Sequence, residues 1–180
     1  MILKTNQAII YSANDRLELF DDIIMISKQD TIFCDSLYYF PSPKYDEYFI
    51  ASGSIKLLHS NRILMSDSLY YWNKTDSVYA LGNVYLDDGK SSLNSNSLNY
   101  WRTDGYHGYS FIAHDNVLFN APDYKVKGSK IIYNDSIQNL IIRNNKNASR
   151  GASIISDDQQ IFGENISIQF QDSTVNNINI

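Results

Sequence analysis

Residues 65–86 read MSDSLYYWNKTDSVYALGNVYL, and the fold is decided by how this stretch is parsed. Asn73, Lys74, Thr75 and Asp76 are turn-forming residues. They separate two segments rich in Tyr, Val, Leu and Ser, residue types that favour strands. Degraded copies of both segments recur along the chain, so the internal period has to be found before any local structure is assigned.

With Leu69 as an anchor, equivalent positions are Leu37, Leu98, Ile131 and Ile166. Two residues further on stand Tyr39, Tyr71, Tyr100, Tyr133 and Ile168, while the position between holds Tyr38, Tyr70, Asn99, Ile132 and Ser167. Two apolar columns flanking a mixed one are the alternation of a half-buried strand. A second anchor, Val84, aligns with Ile23, Ile55 and Val117. Steps of two around it give four inward stripes: Leu17-Leu19-Asp21-Ile23-Met25, Phe49-Ala51-Gly53-Ile55-Leu57, Val78-Ala80-Gly82-Val84-Leu86 and Phe111-Ala113-Asp115-Val117-Phe119.

The spacing between the two anchors carries topology. From the residue before the second anchor to the next Leu-type anchor, 22 to 37, 54 to 69, 83 to 98 and 116 to 131 all differ by 15. The return distances, 37 to 54, 69 to 83 and 98 to 116, differ by 17, 14 and 18. One side therefore has fixed corners and the other has loops of variable length. Five residues before each Leu-type anchor stands an apolar residue: Ile32, Leu64, Leu93, Val126 and Ile161. Five is odd, so if both point inward the alternation slips by one between them, at a bulge or corner. The intervening residues suit a bend: small Cys34, Ser66, Ser95, Gly128 and Gly163, then polar Asp35, Asp67, Asn96, Ser129 and Glu164. Gly128 and Gly163 are expected to occupy a bend that larger side chains could not share.

No run has helical periodicity. Asp88-Gly89 and Asp104-Gly105 predict tight turns, and Pro41 and Pro43 an irregular loop. A last unit runs from about Gly151 to Ile166 with altered spacing, as terminal repeats often do. Ile9-Ile10-Tyr11 matches Ile131-Ile132-Tyr133, so the chain reads as starting partway through a unit and as a piece of something longer. The expectation is an all-β fold of stacked strands in a solenoid-like repeat. Residues 1–180 would form a single domain of about five two-strand units, each with an apolar face that only its neighbours can bury.

Composition narrows the function. A net charge of −5 with scattered Lys and Arg argues against a nucleic-acid surface. No window approaches the roughly 18 apolar residues of a membrane-spanning helix, so a direct membrane span is not expected. The N-terminus MILKTNQAIIYSAND has no apolar run of signal-peptide length, which taken alone reads as cytoplasmic. Cys34 is the single cysteine and reads as a small core filler.

Catalytic signals are weak. The ladder Asp35, Asp67, Asn96, Ser129, Glu164 could be an active site, as in carbohydrate-cleaving β-helices. Glycoside hydrolysis needs two carboxylates at a set separation, and a ladder that changes to Asn and Ser reads better as corner residues bonding their own backbone. His59, His107 and His114 are too scattered for a metal site and read as exposed loop residues, although His107 and His114 could meet across a strand. No nucleophile elbow, zinc-protease helix motif or phosphate loop is present in the sequence. No cofactor is expected, and the chain is read as a non-enzyme.

The pattern of a polar residue plus Ser, Leu and aromatics followed by A-x-G-N-V resembles the OstA-like domain of lipopolysaccharide-transport proteins. That family comprises LptA, the periplasmic part of LptC and the N-terminal domain of LptD. The likeness is carried by Asp67-Ser68-Leu69-Tyr70-Tyr71 through Ala80-Leu81-Gly82-Asn83-Val84, with weaker copies over most of residues 9–170. The Tyr-rich version is similar to OstA-like proteins of Bacteroidetes. The resemblance implies an open, V-shaped antiparallel β-jellyroll whose interior carries acyl chains of lipopolysaccharide or lipid A. It also implies end-to-end joining with other OstA-like domains, and a periplasmic location. The lipid-binding residues it implies are the inward columns: Leu37, Tyr39, Phe49, Ile55, Leu69, Tyr71, Val78, Val84, Leu98, Tyr100, Phe111, Val117, Ile131 and Tyr133. Periodicity alone reads the same columns as a sealed core, so a structural or adhesive β-solenoid is the alternative.

Overall fold

Strands with one greasy face still present unpaired amides along both edges, and only neighbouring strands can satisfy them. The computed structural model describes residues 2–11, 16–27, 30–41, 47–102, 109–144, 151–171 and 174–180. In it the strands form one antiparallel sheet of 15 members, not closed into a barrel, with no helix among the described residues. The chain opens with β1 (Ile2–Lys4) and β2 (Gln7–Tyr11), both paired with β3 (Arg16–Ser27). Seven long strands follow as consecutive hairpins: β4 (Asp30–Phe40), β5 (Tyr48–His59), β6 (Arg62–Trp72), β7 (Ser77–Asp87), β8 (Ser92–Arg102), β9 (Tyr109–Asn120) and β10 (Tyr124–Asn134). The C-terminal part holds β11 (Asn139–Arg143), β12 (Ala152–Ser156), β13 (Gln160–Gly163), β14 (Asn165–Gln171) and β15 (Thr174–Asn179).

Every long strand bends midway, and the bends align into a row of corners that folds the sheet into two arms. Register shows the cause: Ser52 pairs with Ser68 and Ile55 with Ser66, so β5 carries one residue more than β6. Similar shifts occur in β3, β7 and β9. The extra length is taken up by consecutive left-handed residues, Asp21-Asp22, Gly53-Ser54, Gly82-Asn83 and Asp115-Asn116, with φ between 46° and 78°. Gly, Asn and Asp tolerate that region best.

One sequence expectation changes here. The inward stripes are interrupted at their third member: Asp21 and Asp115 are exposed and Gly53 and Gly82 half-buried, because the left-handed pair turns them out of line. The glycines with left-handed φ at the corners are Gly53 and Gly82, rather than Gly128 or Gly163. Gly128 leaves no room for a larger side chain, as expected of its place in the bend. A Cβ there would lie 2.8 Å from Ile142 Cγ2 and 3.0 Å from the Arg143 carbonyl oxygen. The predicted phase slip is present, since Leu64 and Ser66 are buried, Asp67 is exposed and Leu69 is buried again.

Three ladders of inward side chains cross the sheet. Along the corners run Leu37, Ala51, Leu69, Ala80, Leu98, Ala113 and Ile131, all fully buried and each paired with the next. Large residues come from even strands and alanines from odd ones, which lets side chains interdigitate across strands about 4.8 Å apart. One arm carries Ile32, Leu57, Leu64, Leu86, Leu93 and Phe119, and the other Tyr39, Phe49, Tyr71, Val78, Tyr100, Phe111 and Tyr133. Cys34 and Ser66 are small because they face Ile23 and Ile55 just beside the bend.

The altered spacing of the last unit has a simple origin. The second half of β10 pairs with β11 and its first half with β12, so these two are one strand interrupted at the corner. β14 and β13 pair with them in turn. At the other end, β2 is exposed throughout, and Ala8 rather than Ile9 stands opposite Leu19, in line with Leu37. The match of Ile9 to Ile131 is therefore one residue out of register. Gly89, φ 83°, lies in the turn between β7 and β8 as expected; Asp104-Gly105, Pro43 and His107 lie outside the described residues.

Candidate functional site

Folding the sheet along its corners brings the two arm ladders face to face and leaves a cleft between them. Its mouth lies between the hairpin ends of one arm and the loop ends of the other. On the loop side the aromatic ladder ends in tyrosines whose rings turn inward while their hydroxyls reach the rim. Tyr71 donates to Asp76 Oδ1 at 3.2 Å, Tyr133 to Asp135 Oδ1 at 3.1 Å, and Tyr39 to Glu47. Burial, helped by these carboxylates, pushes the Tyr39 and Tyr133 hydroxyls up to about 12. It raises Tyr71 and Tyr100 as well. The phenol is thus kept neutral and donating at the wet edge of an apolar wall, a use that suits its amphipathic ring.

The opposite rim is polar too. His59 Nδ1 lies 2.5 Å from Asp30 Oδ1, and Arg62 and Asp88 stand nearby on the hairpin ends. Below the rims the cleft widens into a cavity of about 390 Å³ with Leu93, Phe111, Phe119, Tyr124, Tyr133 and Phe170 in its wall. The arms touch across it: Phe111 lies 6.3 Å from Phe119 and Tyr124 lies 6.5 Å from Phe170, centroid to centroid. A second space of about 40 Å³ is bounded by Leu57, Leu64, Tyr71 and Val78. Such a cleft can hold an elongated apolar group and keep a polar end at the mouth.

A family model described as LptA/(LptD N-terminal domain) LPS transport protein matches residues 64–174. The chain belongs to this family. It is therefore a lipopolysaccharide-transport domain, from a family of transport modules rather than enzymes, and domains of this kind are associated with the cell envelope. A comparison with curated proteins gives no match. No helix among the described residues is long and apolar enough to cross a membrane.

Within the transport domain, twelve of the fourteen residues of the inward columns divide into two groups. Tyr71, Val78, Tyr100, Phe111 and Tyr133 line the cleft. Leu37, Ile55, Leu69, Val84, Leu98, Val117 and Ile131 are at most 2% exposed and pack in the core along the corner. Phe49 stacks on Tyr71 with centroids 5.0 Å apart, and Tyr39 bonds the rim. Leu57, Leu86 and Phe119 were visible as ends of the stripes and belong to the opposite wall. Arg62, Tyr109, Tyr124 and Phe170 carry no periodic signal, and only the fold brings them in.

The polar corner ladder is structural in geometry, with one correction. Asp67 Oδ2 accepts from Asn83 Nδ2 at 2.9 Å and lies over Gly82, where a Cβ would meet it at 2.3 Å. Asp35 sits over Gly53 in the same way, and Ser129 Oγ bonds Asn144 Oδ1 at 2.9 Å. These side chains hold the neighbouring strand's corner rather than their own backbone. His59 ends β5 and His114 lies inside β9, so neither is a loop residue. The described residues hold no group of three or more His, Cys, Asp or Glu side chains suited to a metal ion. Burial pushes the Cys34 thiol up to about 12, as for an inert filler.

Proposed function

We propose that this domain conveys lipopolysaccharide by taking its acyl chains into the cleft between the two arms, as one segment of a periplasmic bridge. The observation that carries the reading is the 390 Å³ cavity, with aromatic walls and a rim of tyrosine hydroxyls, carboxylates and Arg62. An acyl chain of about 12 carbons that buries half its methylenes gains roughly 5 kcal/mol, at about 0.8 kcal/mol each, without any polar recognition. Transport would then be a passage between similar sites, with energy supplied from outside the domain. The sheet ends at the β1–β2 edge and at β15, and exposed Ile10 and Val175 at these ends support end-to-end joining with like domains.

The corner ladder, sealed from Leu37 to Ile131, favours the second reading, a structural solenoid. Photo-crosslinking separates the two. Benzoylphenylalanine at Tyr71, Tyr100 or Tyr133 is expected to capture lipid A, while the same residue at outward Tyr70 or Asn99 is not. Equal labelling of both sets, or none with excess lipid on folded protein, leaves the solenoid as the better account.

A further inference from the structure

Four residues line both the large and the small space: Arg62, Leu86, Tyr100 and Tyr109. They form the partition between the two. The wall on the hairpin side runs past it unbroken, because Leu57, Leu64, Leu86, Leu93 and Phe119 pair in sequence from β5 to β9. At the boundary between the two spaces the groove is crossed by a contact at its mouth. Arg62 opens β6 on the hairpin rim, and Tyr109 opens β9 on the loop rim. The Arg62 guanidinium carbon stands 4.3 Å from the centroid of the Tyr109 ring, which also stacks on Tyr100 at 4.7 Å and 7°.

We infer that Arg62 and Tyr109 form a strap that divides the groove, and that its release joins the two spaces into one path for an acyl chain. The inference rests on the lipid-conveying reading above. The two spaces lie in series along the strand order: residues of the smaller come from β4 to β9, and those of the larger from β6 to β14. A chain moving along the row of strands must pass the strap. The contact is suited to opening, because a guanidinium resting on a ring can leave it by side-chain rotation while every strand pair stays intact. A covalent or buried ionic link at this place would hold the arms shut, and a gap would leave the spaces joined at all times.

The test places benzoylphenylalanine at Tyr71, on the small space, or at Tyr133, on the large one, and supplies a radiolabelled C12 fatty acid. Capture at Tyr133 is expected to exceed that at Tyr71 in the parent protein. Arg62→Ala should raise capture at Tyr71 about threefold or more and leave Tyr133 unchanged. Tyr109→Leu, which keeps apolar bulk, should do the same and serves if Arg62→Ala fails to fold. Cysteines placed at 62 and 109 and joined by a short cleavable bis-maleimide should reduce Tyr71 capture to background, and cleavage should restore it; buried Cys34 is shielded from the reagent. Equal capture at Tyr71 with the linker intact and cleaved overturns the strap while leaving the groove reading in place. No capture at either position in any form overturns both.

Discussion

At Gly82 two demands meet: the backbone has φ 73°, and the carboxylate of Asp67 occupies the place where a Cβ would stand. Either alone favours glycine; together they explain why the A-x-G-N-V and D-S-L patterns recur as partners. Gly82→Ala is expected to destabilise the domain by about 2–3 kcal/mol. Gly89→Ala should cost only about 1 kcal/mol, because Gly89 has a similar φ but its nearest contact is at 3.5 Å. Urea denaturation of both variants checks the order, and adding Asp67→Ala to Gly82→Ala should recover the steric part. The rim tyrosines make a separate prediction. Tyr39 and Tyr133 have folded-state values of about 12, above the ordinary phenol value of about 10. The folded state therefore binds the proton more tightly, and its contribution to stability is full below pH 10 and lost as pH rises from 10 through 12. The melting temperature should fall over that window, and tyrosinate absorbance should appear in a late second phase. A single titration near pH 10 with no loss of stability would count against buried phenols.

The element that repeats is a bent hairpin, and its corner is where the sequence was most and least legible. Alternation exposed the ladders, and the constant distance of 15 exposed the fixed corners, because burial repeats at each unit and hairpin length cannot drift without breaking register. The left-handed pair stayed hidden because Asp-Asp, Gly-Ser, Gly-Asn and Asp-Asn do not look alike, although each meets the same backbone need. The last unit was hidden for a related reason: β11 and β12 share β10 as a partner although they are separated in sequence, so the spacing changes while the pairing does not. The cleft was half legible. Its Tyr71–Tyr133 wall follows from period two, whereas Arg62 over Tyr109 depends on two arms meeting, which no local pattern encodes. Ser54, left-handed at φ 46°, is the residue of the corner pairs least suited to that conformation. Ser54→Asn is expected to stabilise by about 0.5 kcal/mol. A thermal-denaturation midpoint that falls instead would show that Ser54 is retained for a contact rather than tolerated.

Across the whole molecule each of the long strands β4 to β9 is paired only with the strands before and after it, so stability should follow nearest-neighbour terms more than a single global core. The centre has neighbours on both sides, and the ends do not. β2 is exposed along its length, and Val175 and Ile180 at the far end are more than half exposed. Amide exchange is therefore expected to be slowest in β6, β7 and β8 and to quicken toward β2 and β15. Leu98→Ala sharpens the test. Leu98 is fully buried and its partners in the corner ladder are Ala80 and Ala113, neither of which can fill the space it vacates. The loss should lie toward the upper part of the usual range, about 3–4 kcal/mol. If coupling is between neighbours, exchange should accelerate most in β7, β8 and β9, while β3 and β4 change little. Uniform acceleration over the chain would mean that the two arms and all their strands open as one cooperative unit, and the repeat would then be a feature of geometry without a counterpart in energy.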